Sequence, residues 1–193
     1  SSVRRVVGLA ALAVALSLLC VSSPATAQVN PWQHLSPGGR APQAIQWPVT
    51  VYDANAERML VFGGTDQNAD FYDVWALQLD AGRETWSQLR PYGNPPQGRR
   101  GAAGGYDPEN RRMVIFGGYS AVRTTYRDDT WILDLASGDG RWVQHSPSAP
   151  HPAARRGASI VYQRIADGST PVERLILFGG DKLCSYGCLG LGS

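Results

Sequence analysis

The side chains that could support catalysis or bind a metal are few in this sequence. Its three histidines do not form a pair: His34 and His145 lie close to tryptophans, and His151 stands between two prolines. Imidazole is a common ligand of transition metals, but a site needs several ligands that converge on one ion. No Gly-x-Ser-x-Gly motif marks a nucleophilic serine. The composition alone still allows a Ser-His-Asp triad. We predict no catalytic residue, no metal site and no cofactor.

A second set of side chains suits the recognition of a partner. Tyrosine and arginine are favoured at the positions that dominate binding energy. The longer, more varied stretches 90–97 and 119–128 contain both, and 65–72 contains a tyrosine. The candidate binding residues are Phe71, Tyr72, Tyr92, Asn94, Tyr119, Arg123, Tyr126 and Arg127. Whether they share one surface depends on the elements that these stretches connect.

Those elements recur at a regular interval. Gly63 and Gly117 are 54 residues apart, whereas Trp75 and Trp131 are 56 apart, because the loop after the second glycine pair is two residues longer. Each copy contains four short segments rich in β-branched and aromatic residues, separated by Gly, Asp, Asn and Pro, which favours a four-stranded antiparallel sheet. A repeat of about 50 residues with four strands is typical of a β-propeller blade.

The repeats resemble the kelch family. Each copy has a hydrophobic strand that ends in two glycines, and in two copies an Asp-x-Trp strand and a closing strand with another tryptophan follow. The motif residues are Gly63, Gly64, Trp75, Trp86, Gly117, Gly118, Trp131, Trp142, Gly179 and Gly180. The resemblance implies an all-β fold, a segment of a galactose oxidase/kelch-type propeller. We interpret this segment as exported, of bacterial type and incomplete. It comprises about two and a half blades and an N-terminal orphan outer strand.

The motif residues have a physical explanation of their own. Paired glycines at a strand end permit positive φ angles, and each tryptophan buries on the order of 150–250 Å², which would fill the space between blades. Two acidic residues, Asp73 and Asp129, recur together with Arg100 and Arg156 and are expected to form ion pairs between loops. We interpret all of these residues as architecture.

The repeat also assigns the loops to the two ends of the blades. In a four-stranded meander the 1–2 and 3–4 turns lie at one end, and the 2–3 and 4–1 connections lie at the other. The first set is short and charged, whereas the second set is longer and more varied. Binding residues concentrate on variable loops that a rigid scaffold supports. We therefore predict that the 2–3 and 4–1 loops form the functional face.

Residues 1–27 have the features of a secretory signal peptide. Two arginines precede an apolar run over residues 6–21, and an Ala-x-Ala sequence ends at Ala27, which predicts cleavage before Gln28. An apolar run of 16 residues is short for a membrane span of roughly 20. We therefore expect a secreted, periplasmic or cell-surface protein with no stable membrane span after cleavage.

The rest of the chain divides into three segments: an N-terminal closing strand and linker over 28–42, the kelch-repeat segment over 43–181, and an irregular tail over 182–193. Trp32 is expected on the fourth strand of a blade whose other strands lie elsewhere. In the tail, Cys184 and Cys188 are candidates for a disulfide in an exported protein. A zinc site is the weaker interpretation because a second ligand pair is missing. We favour a truncated or frame-shifted reading of a longer gene, and blades assembled between subunits are the alternative.

The charge balance excludes one class of partner. The 18 Lys and Arg residues include Arg4 and Arg5, so the segment after Ala27 carries 16 basic and 16 acidic residues. A nucleic-acid-binding surface needs a cationic patch, and none is present. We expect a protein or a glycan as partner, together with self-association through unpaired terminal strands.

Three functions are consistent with these observations. The favoured one is an exported binding or scaffold module that recognises a protein or glycan through its 2–3 and 4–1 loops. The second is a partial segment of a secreted galactose-oxidase-like carbohydrate-active enzyme. The repeats contain no cysteine, so the tyrosine–cysteine crosslink of that family has no counterpart here. The third is a structural surface protein.

Overall fold

The computed structural model describes residues 32–122, 124–146, 150–166 and 171–182. Within these ranges the secondary structure is entirely β, and no helix capable of crossing a membrane occurs there. The segment predicted as a signal peptide lies outside the described residues, as do Arg123, Cys184 and Cys188.

The first sheet, which we call blade 1, contains five strands. They are β1 (Gly38–Gly39), β2 (Val49–Asp53), β3 (Arg58–Phe62), β4 (Val74–Gln78) and β5 (Thr85–Leu89). Strands β2 to β5 form an antiparallel meander in which Val51 pairs with Leu60, and Leu60 pairs with Ala76. Strand β1 lies parallel to β5 at the outer edge, so the sheet begins before the predicted repeat boundary at residue 43.

The second sheet, blade 2, repeats the meander. Its strands are β6 (Ala103–Asp107), β7 (Arg112–Phe116), β10 (Thr130–Asp134) and β11 (Arg141–His145). Val114 pairs with Gly105 on one side and with Ile132 on the other, which matches the register of blade 1. The 2–3 loop of this blade contains a short hairpin of β8 (Tyr119–Ser120) and β9 (Thr125–Tyr126).

The third sheet consists of a long antiparallel pair, β12 (Arg156–Ile165) and β13 (Val172–Asp181). These strands correspond to the first two strands of a blade. The innermost strands β2, β6 and β12 are neighbours in that order. The described residues therefore form a propeller segment of two complete blades and half of a third, which confirms the predicted all-β, propeller-type fold class.

The core lies between blades 1 and 2. Phe62 of blade 1 packs edge-on against Trp142 of blade 2, with ring centroids 5.2 Å apart. Leu60, Met113 and Leu133 are also fully buried in this cluster, and burying a side chain of this size contributes about 2 kcal/mol. Trp142 thus fills the space between blades, as predicted for the tryptophans of the repeat.

The paired glycines adopt the predicted positive φ angles. Gly117 has φ = 67° and Gly118 has φ = 97°. They also bring the next sheet close, because the Gly118 amide donates to the carbonyl of Arg155 at 2.8 Å. A Cβ at Gly117 would lie only 2.5 Å from that same carbonyl oxygen. The glycine pair therefore turns the chain and also docks the following blade.

The predicted outer strand around Trp32 is not formed. The structure assigns no strand to residues 32–37. A strand requires a hydrogen-bonded neighbour, and the third strand that would receive this one is not among the described residues. The segment joins a sheet only at β1, where the chain reaches the outer edge of blade 1.

Candidate functional site

One position of the repeat places polar side chains at the same end of three consecutive sheets. Gln46, Arg100 and Arg156 occupy equivalent positions just before or at the start of the innermost strands. Each pairs through its backbone with the residue that follows a glycine pair: Gln46 with Thr65, Arg100 with Tyr119, and Arg156 with Asp181. The three pairs lie at the end formed by the 2–3 and 4–1 loops.

Arg100 connects blade 1 with blade 2. Its Nη1 atom donates to Asp70 Oδ1 at 3.2 Å and lies 3.4 Å from Thr65 Oγ1, both in blade 1. On the other side, its guanidinium carbon lies 5.0 Å from the centre of the Tyr119 ring. The Asp70 carboxylate is almost fully buried and also accepts from the amide of Ala121 at 2.6 Å. This ion pair therefore holds the two long loops together.

Arg156 lies between blade 2 and the third sheet. Its Nε atom contacts both carboxylate oxygens of Asp181 at 3.2 and 3.3 Å. Its guanidinium carbon lies 5.3 Å from the Trp47 ring, 5.9 Å from Tyr119 and 5.4 Å from Tyr126, within the range of cation–π attraction. We define the arginine–aromatic row as Trp47, Arg100, Tyr119, Tyr126, Arg156 and Asp181.

Trp47 has an unusual backbone for a large residue. Its φ angle is 56°, and the equivalent residues are glycines, Gly101 at 63° and Gly157 at 69°. The Gly101 amide donates to Trp47 at 2.9 Å, and the Gly157 amide donates to Gly101 at 2.7 Å. This conformation costs a non-glycine residue about 1–2 kcal/mol, yet the Trp47 side chain is 56% exposed. Strain at an exposed aromatic residue points to function rather than packing.

The row offers hydrogen-bond donors and aromatic faces. Partial burial, and then the hydrogen bond and charge of Asp181, raise the pKa of Tyr126, so its hydroxyl is a neutral donor to Asp181 at 2.9 Å. The terminal nitrogens of Arg156 donate to no residue in the described ranges. Trp47, Arg156, Gly157 and Asp181 line a cavity of about 330 Å³. In the part of the chain that the structure describes, no cluster of three His, Cys, Asp or Glu residues is arranged to hold a metal.

The predicted binding residues divide into separate groups. Tyr119 and Tyr126 lie in the row, and their rings contact each other edge-on at 5.6 Å. Tyr72 is exposed and lines a neighbouring cavity of about 350 Å³ with Pro95, Pro96 and Val122 among its walls. Of the predicted residues that the structure describes, Tyr119 and Tyr126 thus belong to the row.

The other predicted residues lie elsewhere or have structural contacts. Tyr92 is exposed beside Arg141 of the outer strand β11, and Asn94 is exposed near it in sequence. Phe71 is half-buried, and its backbone bonds to Gly64 and to Arg99. Arg127, also half-buried, donates to the side chain of Gln97. Phe71 and Arg127 therefore hold the loops in place.

The sequence predicted that the two arginines of the row form structural ion pairs with Asp73 and Asp129. Asp129 pairs with the neighbouring arginine, Arg99, whereas Arg100 pairs with Asp70 and Arg156 pairs with Asp181. Asp73 pairs with neither predicted arginine and instead accepts from Gln88. The expected pairing was wrong because successive side chains of an extended segment point in opposite directions. A tryptophan at a glycine position of the repeat was the signal in the sequence that marked this surface.

Comparison with known proteins identifies the repeat. The sequence model of the KLHDC2/KLHL20/DRC7 Kelch-repeats domain matches residues 19–188. Adagio protein 3 of Arabidopsis thaliana is 30% identical over 172 residues, which cover 86% of this chain and 25% of that protein. Kelch domain-containing protein 3 of Homo sapiens is 29% identical over 131 residues, covering 67% of this chain and 30% of that protein.

A dynein chain and a solved structure are also similar to this chain. The flagellar outer-arm dynein alpha chain of Chlamydomonas reinhardtii is 25% identical over 154 residues, covering 79% of this chain and 3% of that protein. The solved structure of YjhT aligns with a TM-score of 0.47 and 15% identity, over 69% of this chain and 42% of its own. The three sequence relatives named here are eukaryotic, and the chain spans less than a third of each of them.

Proposed function

Because this chain belongs to the kelch-repeat family, we propose that it is a protein-binding module whose partner contacts the arginine–aromatic row. Kelch domains generally bind proteins. The partner segment carries a carboxylate or carbonyl group for Arg156 and an apolar or aromatic side chain for Trp47. The role is one of binding, without catalysis.

The observation that carries this proposal is the surroundings of Arg156. Its guanidinium group lies among three aromatic rings, and among the residues that the structure describes it donates to Asp181 alone, through Nε. Arginine presents its donors in a planar fork that suits a carboxylate, and Arg, Tyr and Trp are the residues most enriched at binding hot spots. The row thus combines the side chains and spare donors that a protein partner requires.

We propose further that the protein is exported and binds its partner outside the cytoplasm. The support is the basic, apolar and Ala-x-Ala sequence of residues 1–27. Detection of the protein in the extracellular or periplasmic fraction, with an N-terminus at Gln28, is the expected result. Recovery of the uncleaved chain from the cytoplasm alone would contradict this part of the proposal.

Variant capture experiments test the binding surface. The full chain is immobilised and exposed to extracts of its source organism as wild type, Arg156→Ala, Trp47→Ala and Arg83→Ala. Arg83 is an exposed residue of the 3–4 turn at the other end of blade 1. We expect wild type and Arg83→Ala to capture the same proteins. The two row variants should capture at least about tenfold less of those proteins.

Two outcomes would contradict the proposal. Equal capture by all four proteins would show that the row is not the contact surface. Binding to a glycan array that depends on Arg156, without protein capture, would show that the partner is a glycan. Unfolding curves of each variant in urea verify that loss of capture does not result from loss of folding.

A further inference from the structure

The buried guanidinium group of Arg99 has a defined set of acceptors in blade 2. Its Nε atom donates to the carbonyl of Gln97 at 3.0 Å, and its Nη1 atom donates to the carbonyl of Gly117 at 2.9 Å. Both terminal nitrogens also bond to the Asp129 carboxylate. Two carbonyls and one carboxylate therefore surround an arginine side chain that is only 1% exposed.

Blade 1 contains the same acceptor positions without the arginine. The repeat interval places Gln43 at the position of Gln97, Gly63 at that of Gly117, and Asp73 at that of Asp129. The residue at the position of Arg99 is Ile45. An isoleucine cannot donate a hydrogen bond, so the acceptors of blade 1 lack the cation that their counterparts bind.

The backbone confirms that the two sites correspond. The Gly63 amide donates to the carbonyl of Asp73 at 3.2 Å, as the Gly117 amide donates to the carbonyl of Asp129 at 3.0 Å. Gln88 donates to Asp73 Oδ1 at 2.6 Å and orients the carboxylate. No salt bridge to Asp73 occurs within the described part of the chain.

The missing arginine leaves room at this site. Gln43, Ile45, Gly63 and Asp73 all line one cavity of about 340 Å³, and the aromatic residues Phe71 and Trp75 line it as well. We propose that this cavity binds a guanidinium group supplied by a ligand. The group would take the place that the Arg99 side chain occupies in blade 2.

A guanidinium group fits this site better than an ammonium group. At the equivalent positions of blade 2, two carbonyl oxygens and a carboxylate accept from Arg99. Such a set matches the five donors of the planar fork, whereas an ammonium ion presents three donors around a point charge. The aromatic residues of the wall suit stacking of the planar cation. The site shares no lining residue with the arginine–aromatic row, so its test is independent of the proposed function.

Titration with small cations tests the site in the full chain. Methylguanidinium is added to the ¹⁵N-labelled protein, with methylammonium as the matched control, and binding is followed through the indole resonance of Trp75. We expect methylguanidinium to bind at least about tenfold more tightly than methylammonium, and Asp73→Asn to weaken its binding at least about tenfold. Equal binding of the two cations, or an unchanged affinity in Asp73→Asn, would overturn the proposal.

A second variant keeps the test valid if Asp73→Asn folds poorly. Ile45→Arg restores the side chain found in blade 2, so it should occupy the cavity, abolish binding of methylguanidinium and raise the urea midpoint of unfolding. An Ile45→Arg protein that binds the probe as well as wild type would contradict the assignment of the cavity.

Two more measurements identify the source of the cation. The tripeptide acetyl-Gly-Arg-Gly-amide should bind more tightly than methylguanidinium if the natural ligand is an arginine side chain of a protein, and equally if it is a small guanidinium compound. Arg40 also lines the cavity. If wild type fails to bind either probe and Arg40→Ala binds both, Arg40 is the natural occupant, and the proposal of an external ligand is wrong.

Discussion

Arg99 and Asp129 form a bidentate ion pair across 30 residues of sequence, with N–O distances of 2.5 and 2.9 Å. The pair joins the segment that leads into β6 with the residue that precedes β10, so it closes blade 2 from its first strand to its third. Trp131 also donates to the same carboxylate through its indole nitrogen at 2.8 Å.

Arg99→Met is expected to lower the free energy of unfolding by about 3–5 kcal/mol, because it leaves a largely buried carboxylate without its partner. Urea denaturation measures this change. Arg155→Met is the matched control, since Arg155 bonds to the equivalent carbonyls of Ala153 and Gly179 but pairs with no carboxylate in the described ranges. Equal losses in the two variants would contradict the role of the ion pair.

Stability should fall in acid. Burial alone would raise the pKa of Asp129, but the hydrogen bonds and charge of Arg99 hold it below its usual 3.8, and Asn110 and Arg112 do the same for Asp107 against the effect of burial. The ionised forms therefore stabilise the fold. Their contribution is fully present above about pH 4 and is lost as the pH falls further.

The measurement is the free energy of unfolding in urea at several pH values between about 6 and 3. Asp107→Asn should reduce the slope of stability against pH, because one of the groups that take up a proton on unfolding is removed. An identical slope in wild type and in Asp107→Asn would show that this carboxylate does not contribute.

The glycine pairs permit a matched test of blade docking. Gly117 and Gly138 both have positive φ angles, 67° and 54°, but only the Cβ of an alanine at Gly117 would meet neighbouring atoms. Gly138→Ala should cost about 1 kcal/mol for its backbone alone. Gly117→Ala should cost roughly 2 kcal/mol more, because the added carbon meets the Arg155 carbonyl. Similar losses in urea denaturation would contradict the close approach of the third sheet.

Trp47 and Trp142 should differ in their effect on stability. Trp142→Ala removes a ring that is only 4% exposed and should cost about 3–5 kcal/mol. Trp47→Gly removes an exposed ring and relieves a positive φ angle, so the free energy of unfolding should change by less than about 1 kcal/mol. A loss of more than about 2 kcal/mol on Trp47→Gly would show that this residue serves packing rather than recognition.

The two-stranded third sheet is expected to promote self-association. Phe178 on β13 is 82% exposed, and long exposed apolar strands pair with other chains. Phe178→Lys should therefore increase the monomer fraction measured by light scattering. Val122→Lys changes a similarly exposed residue in a loop and should have no such effect. If both variants associate as wild type does, β13 is not the contact.

The partners of the arginines could not be predicted from the repeat. Their recurrence with Asp129 indicated an ion pair, but Arg99 and Arg100 are adjacent and recur equally well in the next copy. In the folded protein Arg99 points inward to Asp129, whereas Arg100 reaches Asp70. The proposed guanidinium cavity follows from the same comparison. The replacement of arginine by Ile45 is informative only when the acceptors of Arg99 are known.

The four strands of each complete repeat, the turns between them and the positive φ angles of the glycine pairs could be predicted from the sequence. These depend on residues that are close along the chain, where side-chain alternation and the freedom of glycine act directly. The tertiary structure decided which loop residues meet, so that Tyr119 and Tyr126 gather around Arg156 while Tyr92 lies beside β11. Such contacts depend on how adjacent sheets pack and twist, and that geometry is not encoded in the spacing of any single repeat.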